Sequence, residues 1–185
     1  MLVVLVSGPR GPERARIAGA LVRALSSRGY RVGAASRAAS ESAVRERPDT
    51  EAGLLENSGA SLVALVGRRR SRVTVVTAPK SLEDLLRLLE AGQRVPPDAV
   101  VLSGFDRLAG RREDVLKVVV AHGPREAQAI LRGLADPVVA AVCAAQVGGP
   151  LRSSSGGEVP VFPLEGEDQV GRLVVEIAKR LKLIH

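Results

Sequence analysis

Leu2-Val3-Val4-Leu5-Val6-Ser7-Gly8-Pro9-Arg10-Gly11-Pro12-Glu13-Arg14-Ala15 decides the fold. Five apolar residues in a row predict a strand buried on both faces, as in a parallel sheet. The run stops at Ser7-Gly8, and a Gly/Pro-rich loop extends to Pro12. Beyond it, Ile17, Ala20, Leu21, Ala24 and Leu25 recur at helical spacing, and Gly29 is a natural stop. Tyr30 to Ala35 then reads as a second strand. Strand, loop, helix and strand in about thirty residues make a right-handed parallel crossover.

The same alternation continues outward. Residues 37–50 are polar and charged and read as a mobile loop, with a short helix over 51–58. Ser61 to Val66 and Arg72 to Thr77 read as two strands of a hairpin joined by an Arg-rich turn. Ser81, with Asp84 three residues later, resembles a capping box opening a helix striped by Leu82, Leu85, Leu86 and Leu89. Ala99 to Leu102 is a buried strand ending in Ser103-Gly104-Phe105, and 106–114 is a charged loop. A strand from Val115 to Ala121, a helix from Pro124 to Leu134 and a strand from Val138 to Ala144 follow. Residues 147–158 have the composition of a flexible loop, Val159 to Phe162 of a short strand. Val170, Leu173, Val174, Ile177, Ala178 and Leu181 stripe a closing helix. The expected fold is one α/β domain over residues 1–185: a mostly parallel sheet with helices on both faces. In such sheets ligands bind beyond the carboxyl ends of the strands, which directs attention to the loops after Val6, Ala35 and Leu102.

The composition is compatible with that. Hydrophobic residues make up 45% of the 185, which excludes a disordered chain, and aromatic residues only 2%, which makes the core aliphatic. The formal charge is +7, carried mostly by Arg, since there are only four lysines. A basic balance raises polyanion binding as a class. The densest runs are Arg68-Arg69-Arg70 with Arg72, and Arg107 with Arg111-Arg112. With no Trp, no interleaved aromatics and no nucleic-acid motif, they read as solvated turns, against a nucleic-acid partner. Cys143 is the only cysteine and lies in an apolar run, so it reads as a buried strand residue. A reducing, cytoplasmic setting fits it, and no stretch is apolar and long enough to span a membrane.

The loop after the first strand can be compared with the phosphate-binding pattern GxxxxGK[ST]. There, glycines expose backbone N–H groups to phosphate, the Lys reaches the terminal phosphates and the hydroxyl binds magnesium. Here Gly8 stands in the first glycine's place, Glu13 replaces the second, Arg14 stands for the Lys and Ala15 for the hydroxyl. Pro12 removes an N–H, Glu13 adds negative charge, and Ala15 offers magnesium no oxygen. Arg14 keeps a cation suited to phosphate, with a planar head. The candidate nucleotide contacts are Gly8, Arg10, Gly11, Arg14 and Ala15. No catalytic residue and no metal ligand are assigned.

In order and spacing the chain resembles MobB, the P-loop family associated with molybdopterin-guanine dinucleotide synthesis. The resemblance rests on Leu2 to Gly8, Ala24 to Gly33, Ser58-Gly59-Ala60, Ser81 to Leu89, Pro97 to Phe105 and Val138 to Ala144, together with the closing helix. It spans nearly the whole chain. It implies a three-layer sandwich like that of P-loop NTPases, GTP with magnesium as cofactor, a homodimer, and a molybdenum-cofactor biosynthesis protein as partner. The family's Lys-His pair after the second strand is here Ser36-Arg37, and its Glu-Gly-Phe is Ser103-Gly104-Phe105. Arg37, Ser103, Gly104 and Asp106 are therefore second-site candidates. The losses fall on one chemistry, so hydrolysis is not expected, and whether the chain is an enzyme stays open.

Other residues carry less. Asp98 and Asp106 flank the 103–105 turn and could meet magnesium, but turn carboxylates are commonly solvated. His122 has no His or Cys nearby to share a metal, and His185 is terminal. Ser103 lacks the context of a nucleophile. The readings are an accessory to molybdenum-cofactor guanylylation with nucleotide chemistry weakened or lost, a catalytically silent scaffold for a protein partner, and a basic nucleic-acid-binding protein.

Overall fold

The computed structural model describes residues 1–91, 93–145 and 149–164. The predicted closing helix and His185 lie outside them, as does part of the 147–158 loop. The chain forms two compact units, Met1–Ser36 with Val95–His185 and Arg37–Arg94.

The first unit is built on six strands: β1 (Leu2–Ser7), β2 (Val32–Ser36), β5 (Ala99–Ser103), β6 (Leu116–Ala121), β7 (Val138–Cys143) and β10 (Val161–Pro163). Their order is β10-β7-β6-β1-β5-β2, and every neighbouring pair is parallel. The apolar runs seen in the sequence fill the central strands, and all of β5 and β7 is buried. α1 (Pro12–Ser26) lays Ile17, Leu21 and Leu25 against Val4, Val6, Ala99 and Val101. α5 (Pro124–Arg132) buries Ala127 and Leu131. The crossover from β1 to β2 moves one way along the sheet and that from β6 to β7 the other. Right-handed connections therefore place α1 and α5 on opposite faces. The direction reverses at β1, so the crevice that such sheets offer a ligand opens at that strand's carboxyl end.

Three segments differ from expectation. Within the charged 106–114 loop, Asp106–Ala109 forms one helical turn, α4. Residues 149–158 are not a featureless loop: β8 (Leu151–Arg152) pairs antiparallel with β9 (Glu158–Val159). The Asp136 carboxylate accepts from Ser153 Oγ at 3.1 Å and Ser155 N at 3.3 Å. From α5, Gln128 Nε2 donates to Arg152 O at 2.8 Å while its Oε1 accepts from Arg152 N at 3.1 Å. The predicted strand 159–162 divides at Pro160 into β9 and β10.

The second unit contains a 3-10 turn (Glu41–Ala43), α2 (Glu51–Asn57), β3 (Leu62–Val66), β4 (Ser71–Val75) and α3 (Leu82–Ala91). The predicted hairpin is present, with Leu62 opposite Val75 and Val66 opposite Ser71. So is the capping box: Asp84 N donates to Ser81 Oγ at 3.0 Å, and Ser81 N to Asp84 Oδ2 at 3.2 Å. The supposed loop 37–50 is tied to β4, since Glu46 accepts from Thr74 Oγ1 at 3.0 Å and pairs with Arg72.

Candidate functional site

The carboxyl end of β1 runs into Gly8, whose φ is +140°. A Cβ on Gly8 would come within 2.1 Å of the Val120 carbonyl oxygen, so the end of β6 leaves room for glycine alone. Gly11 precedes α1 with extended backbone and no side-chain cap, and Pro12 takes the first helical position. Glu13 lies in the first turn, where a negative charge is favoured by the helix dipole. A Cβ on Gly11 would stand 2.9 Å from Glu13 Oε2, so this carboxylate lies beside Gly11.

Arg14 does not reach toward solvent. It is 8% exposed, and its Nη1 donates to the Gly8 carbonyl at 2.7 Å. Its guanidinium covers Gly104: a Cβ there would meet Nη1, Cζ and Nη2 at 2.7–2.8 Å. Gly104 adopts φ +79° and donates its N–H to Val6 O at 3.1 Å. The fully buried Ser7 donates its hydroxyl to the Asp106 carboxylate at the start of α4. Ser103 is 7% exposed and, by strand alternation from Val101, lies on the sheet face that α1 covers. Its hydroxyl has no hydrogen-bond partner among the described residues.

The structure therefore gathers Gly8, Arg14, Ser103, Gly104 and Asp106 around the end of β1. Arg10 and Ala15 are exposed, and Arg37 opens the second unit. Asp98 is placed elsewhere: it precedes β5 at the strand's opposite end. It accepts from Arg31 Nη2 at 2.7 Å, Nε at 3.0 Å and the backbone N at 2.9 Å. Hydrogen bonding from Arg31 holds its carboxyl down at about 2. His122 is exposed, and its backbone N–H is accepted by Glu126 at 2.7 Å. Among the described residues no three His, Cys, Asp or Glu side chains stand together to hold a metal. No helix among them is long and apolar enough to cross a membrane.

Two groups escaped the sequence reading. In the sequence Ser7 is only the strand's end, because its partner is 99 residues away. Lys117 lies in an apolar run, is fully buried, and donates Nζ to the carbonyls of Arg112 and Asp136. A lone Lys inside a valine-rich strand is the signal that could have revealed it. Burial pushes its ammonium below the usual lysine value. Cys143 is buried as expected, and burial raises its thiol.

No known family profile matches the chain, and no curated protein does. Solved structures do. Molybdopterin-guanine biosynthesis protein B (MobB) superposes with a TM-score of 0.68 at 18% identity, covering 98% of this chain and 99% of that one. The MobB homologue of Bacillus stearothermophilus gives 0.66 at 23% identity, with 97% and 100% covered. Bacillus subtilis MobB gives 0.64 at 14% identity, with 95% and 97% covered. At these identities it is the architecture that is shared: this chain is built on the MobB-like P-loop fold.

Proposed function

We propose that this chain is a cytoplasmic accessory of molybdenum-cofactor guanylylation that acts through protein contacts, with nucleotide hydrolysis lost. The pathway is suggested by molybdopterin-guanine biosynthesis protein B, whose fold it shares. The observation that carries the loss of nucleotide is Arg14, turned inward onto Gly8 and Gly104 instead of outward to a phosphate. The residues present do not fit magnesium with GTP. Pro12 lacks an N–H, Glu13 sets a carboxylate beside Gly11, Ala15 has no oxygen for the metal, and Ser7 already engages Asp106.

Titration calorimetry tests this directly. The expected outcome is no saturable heat from the chain with GTP and magnesium, and measurable magnesium-dependent binding by the variant Glu13→Gly/Arg14→Lys/Ala15→Ser. Tight binding by the unaltered chain would overturn the reading.

A homodimer belongs to the same proposal. The register of β3 and β4 puts Leu62, Ala64, Val66, Val73 and Val75 on one face of the hairpin. On it Leu62 is 54%, Val66 80% and Val73 51% exposed, more apolar surface than a short ribbon ordinarily leaves in water. A second copy of the chain is the partner we assign to it.

A further inference from the structure

The nucleotide-silent reading leaves open what holds the loop after β1 in shape. A loop built around phosphate is normally ordered by the anion it binds, through N–H groups that otherwise lack partners. Here the chain's own cation occupies the centre. Arg14 joins three segments at once: the loop through Gly8 O, the first turn of α1 to which it belongs, and the β5–α4 turn through Gly104. The Ser7 hydroxyl on Asp106 ties the first and third of these a second time.

We infer that Arg14 is a built-in plug that keeps this loop in one closed form independent of any ligand. The inference rests on the reading of the same loop as nucleotide-silent. The group matters as a guanidinium and not merely as a charge. Its flat face lies over Gly104, where even one added carbon would clash, and its edge donates to Gly8. A lysine ammonium is compact and offers no such face. Removing the head of Arg14 would uncover the Gly8 carbonyl, already an acceptor, near a strand end whose Ser103 hydroxyl is buried without a partner among the described residues. Such a space would accept a planar cation that donates hydrogen bonds.

The test is chemical rescue read by thermal unfolding of the full chain. Arg14→Ala lowers Tm by about 5 °C or more, as loss of a buried hydrogen-bonding group does. Low-millimolar guanidinium chloride restores part of that loss, while ammonium chloride at equal ionic strength does not, and the unaltered chain gains nothing from either. Arg14→Lys is the second variant: the plug requires it to melt below the unaltered chain as well, so the test survives if Arg14→Ala does not fold. An unchanged Tm in Arg14→Lys overturns the inference, as does equal response of Arg14→Ala to guanidinium and ammonium. Saturable binding of GTP to the unaltered chain would instead strike the proposed function, so the two failures are separately visible.

Discussion

Lys117 shows how one residue couples burial to pH. Its Nζ is taken up by the carbonyls of Arg112 and Asp136, yet the surrounding apolar strand still lowers its proton affinity, with desolvation outweighing the nearby Asp136 charge. The folded value lies below the ordinary 10.5, so the unfolded chain holds more protons in the interval between them. Stability contributed by this site therefore rises as pH climbs through the alkaline range toward 10.5. Denaturant unfolding over that range shows the upward slope in the unaltered chain and a reduced slope in Lys117→Met. A slope identical in both would refute the assignment. Residues of this kind are the least legible in sequence. Arg14 could be picked out by its position after Gly8, but not that it folds back onto Gly8 and Gly104. Ser7 is legible as a strand end and Asp106 as a loop group, but their pairing depends on β1 and β5 being neighbours.

At the scale of elements, pattern and structure agree where the period is strong. Ile17, Leu21 and Leu25 define α1, and the runs 2–6, 99–102 and 138–144 define β1, β5 and β7 to within a residue or so. Agreement fails where composition is polar and partners are distant. The ribbon of β8 and β9 looks like a linker in sequence, because its order comes from a local turn, in which Ser153 N donates to Gly157 O at 2.8 Å, and from distant partners, Asp136 for Ser153 and Ser155 and Gln128 for Arg152. The β3–β4 hairpin presents the converse case. Its two strands are legible, but not that the face carrying Leu62, Val66 and Val73 is left exposed. The proposed dimer predicts that charging this face with Val66→Asp and Val73→Asp will shift sedimentation equilibrium toward monomer, weakening self-association about tenfold or more, as loss of buried apolar contacts at an interface does. Monomer mass in the unaltered chain would remove the dimer from the proposal.

For the molecule as a whole, acid is the more informative stress. Asp84, Asp98, Asp114 and Asp136 all hold carboxyls below their ordinary 3.8. The Ser81 hydroxyl does this for Asp84, Arg31 for Asp98, Arg112 for Asp114, and the Ser155 and Ser153 hydroxyls for Asp136. Lowered carboxyls contribute stability above 3.8 that drains away as pH falls through the folded values, near 2 for Asp98. Unfolding midpoints should accordingly hold level from neutrality to about pH 4 and drop below it, with Asp98→Asn showing a shallower fall. A steep decline beginning near neutrality would point to other groups. The crossovers that run outward from β1 to either side of a wholly parallel sheet have one more consequence. A notch at that spot is a product of strand order, so no substitution in the loop can abolish it. Any chain with this strand order keeps an opening there, whatever its loop residues are. Arg14, seated between Gly8 and Gly104, stands in that opening, so shortening its side chain should loosen the carboxyl end of β1 before any other part of the sheet.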